Sequence, residues 1–285
     1  MRLNPVDKRR VRAAFSRSAG AYDARAEVQR AVQDRVLALL EAAAPDARRV
    51  LDVGAGTGAL LARLVAARPG LSAAAIDLAP GMCAATRRAA PLARVTAADA
   101  EALPFRDASF DLVVTTSTLQ WLPRVAPALE EARRVLAPGG VLCVALFGAR
   151  TLFELREAWN EATGARAPQT HRFLSREELA AGLAHAGLAV ETTRDEELVE
   201  RHPDARAVLR ALKAVGASSA VPGRSGLGGR RATLEAIRRY EERHRGPEGV
   251  PATYQVLYAV ARRPALVTPG APRAPSGGRA APSRA

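Results

Sequence analysis

Seven consecutive residues of this chain could hold a nucleotide: Asp52-Val53-Gly54-Ala55-Gly56-Thr57-Gly58. Glycine is the residue that lets backbone turn sharply and lets a ligand come close. A turn of bare N–H groups opening a helix is a cradle for a nucleotide cofactor. Asp77 stands about 20 residues beyond Gly58, where a carboxylate accepts hydrogen bonds from both ribose hydroxyls. Gly54-x-Gly56-x-Gly58-Ala59 also satisfies the dinucleotide fingerprint, so the loop alone admits a nicotinamide cofactor. Two other acids separate the readings. Asp52 occupies a position that is usually apolar in dinucleotide folds, and can take a cofactor's ammonium group directly or through the loop. Asp99 closes the third short apolar run, where an adenine amino group could donate to it. With Leu78 and Ala100 beside them, these residues form the expected cofactor set.

The elements that must position this set alternate in type. Helical spacing covers residues 7–44, broken at Gly20, and Pro45-Asp46 precede a first strand, Arg49–Val53. Strands then follow at Leu71–Asp77, Arg94–Ala97, Phe110–Thr115 and Val141–Phe147. Helices intervene at Leu60–Ala67, Pro80–Ala89 and Val125–Leu136, the last stopped by Ala137-Pro138-Gly139-Gly140. Val141–Phe147 is apolar throughout, as a strand covered on both faces must be. Strand–helix alternation of this kind predicts an α/β fold with a doubly wound, mostly parallel sheet. After Gly148 the pattern loosens into helices at Leu152–Trp159, Ser175–Gly187, Asp204–Val215 and Thr233–His244, with strands at Ala189–Val199 and Thr253–Arg262. Seven strands result. The expected organisation is an N-terminal helical lid (1–45), a main domain (46–263) with an insertion at about 148–250, and a Pro-rich disordered tail (264–285).

Bulk composition narrows the class. With 48% apolar residues over 285 positions, a sizeable core is available. No apolar run approaches the roughly 18 residues of a membrane span. The start, Met1 to Arg10, lacks the apolar region of a secretory signal, and Cys83 and Cys143 have no metal-ligand spacing, which fits a reducing cytoplasm and no bound metal. Net charge is +13, yet all but two of the 42 basic residues are Arg, Lys8 and Lys213 being the exceptions, amid heavy Ala usage. That is a composition bias rather than a nucleic-acid stripe. With two Trp, four Tyr and six Phe, aromatics are too few to interleave with the basic residues as an RNA surface requires.

The order Asp52, Gly54-x-Gly56-x-Gly58, Asp77, Asp99, Phe110-Asp111-Leu112-Val113-Val114 and Leu136-Ala137-Pro138-Gly139-Gly140 resembles the class I S-adenosylmethionine-dependent methyltransferases, with their Rossmann-like fold. A narrower likeness runs from about residue 7 to 263. Phe15 to Asp23, Leu119-Gln120-Trp121, Arg172-Phe173-Leu174, Lys213-x-x-Gly216-Ala217 and Thr253-Tyr254-x-Val256-x-Tyr258 are similar to the malonyl-acyl-carrier-protein O-methyltransferases of biotin synthesis. The resemblance implies methylation of the free carboxylate of a malonyl thioester, with S-adenosylmethionine as cofactor and an acidic carrier protein as partner. Such a carboxylate, with a pKa near ~4, is ionised at neutral pH and needs no base. Accordingly His171, His185, His202 and His244 need no acid–base role.

On this reading Tyr22 closes over the cofactor, Gln120 contacts substrate at the switch-point crevice, and Arg172 grips the carboxylate in a forked contact. Lys8, Arg9, Arg10 and Arg12 form the expected docking surface for the carrier protein. The handle is carrier protein or coenzyme A. A methyltransferase acting on a free small molecule is the alternative; a nucleic-acid methyltransferase fits less well, because Thr115-Thr116-Ser117-Thr118 stands where amino-directed enzymes carry an Asn/Asp-Pro-Pro-aromatic segment.

Overall fold

The structure is a computed structural model that describes residues 6–20, 22–23, 26–164, 172–214 and 229–265. Two helices, α1 (Lys8–Ser18) and α2 (Glu27–Ala43), precede the alternating region. There β1 (Arg49–Val53), α3 (Ala59–Ala67), β2 (Ser72–Asp77), α4 (Pro80–Ala89), β3 (Arg94–Ala97), β4 (Phe110–Thr116), α5 (Ala126–Val135) and β5 (Leu136–Phe147) follow in turn. The later half adds α6 (Phe153–Thr163), α7 (Arg176–His185), β6 (Ala189–His202), α8 (Ala205–Ala214), α9 (Gly229–His244) and β7 (Val250–Arg262). The strands form one sheet in the order β3-β2-β1-β4-β5-β7-β6. β1 to β5 pair in parallel, while β7 runs antiparallel to both β5 and β6. This is the doubly wound, mostly parallel seven-stranded sheet that the alternation predicts.

Both sheet faces are covered, which is why the central strands read as unbroken apolar runs. On one face Val32, Val36 and Leu40 of α2 and Leu61 and Leu64 of α3 pack on Val50, Leu112 and Cys143. On the other, Leu129 and Val135 of α5 and Leu179 and Leu183 of α7 pack on Leu51, Val113 and Leu142. α7 starts with the expected capping box: Glu178 N donates to Ser175 Oγ at 3.1 Å, and Ser175 N donates to Glu178 Oε2 at 2.9 Å. β6 is an edge strand, and its run of Glu and Arg keeps that edge from pairing with another chain.

Two boundaries differ most from the sequence reading. β5 begins at Leu136, five residues before the expected Val141, because Leu136 pairs with Phe110 while Val141 pairs with Leu112. The Pro-Gly-Gly segment between them bulges from the ladder, with Gly139 left-handed at φ 80°. The break in the N-terminal helix extends from Ser18 to Glu27 rather than lying at Gly20 alone. The expected loop at 216–228 and the tail beyond 265 lie outside the described residues.

α1 lies across α4 at very close range. A Cβ on Gly81 of α4 would sit 2.5 Å from the Ser16 carbonyl oxygen, and Gly81 N donates to Ser16 Oγ at 3.4 Å. Gly81→Ala therefore opposes two effects: it gains up to ~1 kcal/mol of helix propensity in α4 and expels α1. Limited proteolysis is expected to cut the first 26 residues faster in the variant while the melting temperature of the body is maintained. An unchanged cleavage rate would refute the close approach.

Candidate functional site

The loop between β1 and α3 is left-handed at each glycine, with φ of 76° at Gly54, 59° at Gly56 and 84° at Gly58. At two of them the fold also leaves no room for a side chain. A Cβ on Gly54 would lie 2.1 Å from Thr118 Oγ1, and one on Gly58 would lie 2.8 Å from the Thr86 backbone. Gly56 meets nothing within 4 Å and faces the cleft. Asp77, at the end of β2, ties the loop down: Oδ2 accepts from Gly56 N at 3.0 Å and Oδ1 from Ala79 N at 2.8 Å.

Above the loop is a cleft with about 700 Å3 of atom-free space, part of it open to solvent. Gly54, Gly56, Asp77, Leu78, Asp99 and Ala100 line its sheet side. Lys8, Val11, Phe15 and Tyr22 of the N-terminal segment line the other. Asp52 does not line the cleft. It is 1% exposed in β1, and neither of its oxygens has a hydrogen-bond partner among the described residues. Burial, then the charge of Asp77, pushes its carboxyl up to about 7. Burial likewise raises Asp77 to about 6, against two backbone N–H bonds that favour its ionised form. Two buried acids side by side, one of them unpartnered, suit a cationic, hydroxyl-rich ligand. An S-adenosylmethionine, with an ammonium and a ribose diol, fits this donor demand.

A second cleft, with about 670 Å3 of atom-free space, adjoins the first, and Phe15, Tyr22, Ser117 and Trp121 line both. Phe15 bridges the partition, its ring 5.6 Å from that of Trp121 and 6.3 Å from that of Tyr22. Beyond the partition the walls are mainly apolar, formed by Phe147, Leu152, Phe173, Leu212 and Tyr254. Gln120 also lines this cleft; it is 2% exposed, and neither end of its amide has a hydrogen-bond partner among the described residues. Glu200 lies at the far rim. Burial raises its pKa, and His202, 3.4 Å away, opposes that shift. Desolvation, followed by the charges of Asp77 and Asp23, holds the Tyr22 phenol well above its ordinary value. At neutral pH it can donate a hydrogen bond but cannot act as a base.

Most of the sequence-predicted set therefore converges. Leu78, Ala100, Gly54, Gly56, Asp77 and Asp99 share one cleft, Gln120 lies in the next, and Tyr22 borders both. Gly58 instead ends the loop as the left-handed cap of α3. Two expectations need correction. Arg172 does not line the acceptor-side cleft; it is half-exposed and paired with Glu178 at the α7 cap, while its neighbour Phe173 lines the cleft. Lys8 is not free for docking, because its ammonium lies 2.5 Å from Asp99 and also bonds Glu101. Asp99 is thus engaged from above by α1. Sequence reading missed Val11, Phe15, Met82 and Leu122 as lining residues. At helical spacing they carry the same signal as core residues, and nothing in type or period separates the two.

Residues 51–144 match the family described as Methyltransferase domain. Fold, glycine loop and paired acids together define a class I S-adenosylmethionine-dependent methyltransferase. The YcgJ protein of Bacillus subtilis shares the fold, at a TM-score of 0.56 and 20% identity over 80% of this chain and 97% of that one. The malonyl-[acyl-carrier protein] O-methyltransferase of Geobacter sulfurreducens is 47% identical over 268 residues, covering 90% of this chain and 100% of that protein. Its namesake in Halorhodospira halophila is 42% identical, covering 89% and 87%. The chain belongs to the malonyl-[acyl-carrier protein] O-methyltransferase family. Among the described residues no helix is long and apolar enough to cross a membrane.

The raised pKa of Asp52 has a consequence for the cofactor-free protein. Its folded value, about 7, exceeds the unfolded value near ~3.9, so the folded state holds the proton more tightly. The resulting stability is present below about pH 4 and is lost as pH rises towards 7, by up to ~1.4 kcal/mol per pH unit. Asp52→Asn removes this slope. Thermal melts of the cofactor-free protein between pH 5 and 8 should show a shallower decline for the variant than for the wild type. Parallel curves would contradict the assignment.

Proposed function

We propose that this protein transfers the methyl group of S-adenosylmethionine to the free carboxylate of a malonyl thioester on acyl carrier protein. The product is the malonyl methyl ester that opens the pimeloyl branch of biotin synthesis. The observation that carries the reading is the near full-length identity with relatives bearing that activity in their names. The two adjoining clefts support it, since they offer a donor site and an acceptor site sharing one wall.

When bound, the cofactor supplies a methyl group on a positively charged sulfur. Gly54, Gly56, Asp77, Leu78, Asp99 and Ala100 line the cleft and would hold it: Asp77 and Asp99 would meet its ribose and adenine donors and the two glycines admit its close approach, while Asp52, buried behind the loop, would favour its ammonium through the loop and Gly58 shapes that loop. The malonyl carboxylate needs no deprotonation. Its ionised oxygen is the acceptor, to which a bound cofactor would supply the methyl group, the positive charge on its sulfur being lost in the exchange. Tyr22, protonated at the partition, donates towards the reacting centre. Gln120 offers its unmet amide to orient the substrate. The remaining work is positioning and exclusion of water, effects that can supply roughly 7–11 kcal/mol. Phe147, Leu152 and Phe173 receive an ester that has lost its charge, which favours product over an ionised substrate in that cleft. Arg9, Arg10 and Arg12 of α1 are exposed, Arg10 within 3.5 Å of Asp7.

The enzyme incubated with S-adenosylmethionine should add one methyl to malonyl-carrier protein, followed by the mass of the acyl arm. Acetyl-carrier protein should gain none, and malonyl-coenzyme A tests the handle. Methylation of the acetyl form would overturn the carboxylate acceptor. Gln120→Leu, similar in volume and free of polar demand, should lower kcat/KM for the malonyl substrate about 10-fold, or ~1.4 kcal/mol. Cofactor affinity should stay at the wild-type level, and a loss of that affinity instead would move Gln120 into the donor site.

A further inference from the structure

The structure shows a basic helix face at the outer rim of the acceptor-side cleft. α8 contains no acidic residue. Ala205 and Val208 are buried, and Leu209 and Leu212 pack against the core. Arg206, Arg210 and Lys213 are exposed and follow one another at i, i+4 and i+7. At 1.5 Å rise per residue this is one stripe about 10 Å long. Arg206 and Lys213 make no ion pair among the described residues, and Arg210 reaches only Asp204, at 3.8 Å. The stripe is thus free to meet an external partner. Arg201 nearby is paired with Glu248 and adds less.

The same helix borders the route to the reacting centre. Ala211 and Leu212 line the second cleft. A further surface cleft begins where that one ends: both are bordered by Glu200 and Ala211, and the outer one also by Arg201 and Arg210. A slender chain entering beside Arg210 would pass between Glu200 and Ala211 and reach Gln120 among apolar walls. The start of α1 lies towards the opposite edge of the sheet. Lys8, at the start of α1, bonds Asp99 just beyond β3, whereas Glu200 belongs to β6 at the opposite edge of the sheet. Six strand spacings separate those edges, roughly 29 Å at ~4.8 Å each.

We propose that the Arg206–Arg210–Lys213 face of α8, rather than α1, is the docking surface for the acidic carrier protein. Its phosphopantetheine arm runs past Ala211 and Glu200 into the acceptor-side cleft. This rests on the carboxyl-methylation reading above. An acidic protein face complements the stripe, and the phosphodiester at the root of the arm arrives beside Arg210, whose planar fork suits it. Charges of this kind act mainly on encounter and fade with salt.

The test compares two charge reversals with malonyl-carrier protein as substrate: Arg206→Glu/Arg210→Glu/Lys213→Glu on α8 and Arg9→Glu/Arg10→Glu/Arg12→Glu on α1. Melting temperature and S-adenosylmethionine affinity report folding of each variant. At low salt the α8 variant should lose 10-fold or more in kcat/KM, chiefly through KM, and the deficit should shrink as salt is raised. The α1 variant should stay within 2-fold of wild type. Arg206→Lys/Arg210→Lys, which keeps the charge, should retain most of the activity. Equal activity of wild type and the α8 variant would overturn the docking surface while leaving the function intact, and so would a loss confined to the α1 variant. No methyl transfer by the wild type to malonyl-carrier protein would instead overturn the functional reading, and this one with it.

Discussion

The chain runs outward from β1 through β2 to β3, then returns to the other side of β1 as β4, and that reversal opens the crevice on which the rest of the site depends. Neighbouring connections leave in opposite directions there, so neither crossover helix covers the carboxyl ends of β1 and β4. Asp52, Asp77 and the glycine loop all sit at this gap. The loop can be as tight as it is because Thr118, from beyond β4, and Thr86, from α4, press on Gly54 and Gly58. Burial raises the proton affinity of both acids, and the charge of Asp77 raises that of Asp52 further. The arrangement is costly to a cofactor-free protein and is relieved by a ligand that brings donors and positive charge.

The N-terminal segment completes what the sheet leaves open. α1 is held at one end by Lys8 on Asp99 and Glu101, and towards its other end by Phe15 against Trp121 and Ser16 on α4. Past the helix break, Thr57 at the glycine loop donates to Asp23 at 2.7 Å. α2 then joins the core beside α3. One short stretch of chain thus roofs the cofactor side, supplies Phe15 and Tyr22 to the partition, and anchors itself in the body. Closure and the shape of the acceptor side are tied to the same residues.

The arginine-rich composition is used unevenly. Arg134 is bound to Glu131 and Asp107 and to backbone carbonyls, Arg49 to Asp111, and Arg262 to Glu191. Such residues fasten loops and strand ends and contribute nothing to an outward field. The net positive charge is therefore expressed where no acid answers it, and α8 is one such place beside a cleft. Fold alone would not reveal this, because related folds serve different reactions.

Sequence by itself determined the α/β alternation, the glycine loop and the acids at the ends of β1, β2 and β3, because these depend on local rules: strand and helix periods, left-handed backbone at glycine, and fixed spacing along one chain. It placed the helix of Pro80 and the cap of Ser175 for the same reason. Only the tertiary structure decided what faces these residues. Lys8 meets Asp99 across 91 residues of sequence, Arg172 turns to Glu178 rather than to the cleft, and Phe15 reaches Trp121 between the two clefts. An apolar residue on a helix, or an arginine on a loop, carries the same local signal whether it lines a cleft, fills a core or meets solvent. Which of these it does depends on long-range packing, and that is a property of the assembled sheet rather than of any window of the sequence.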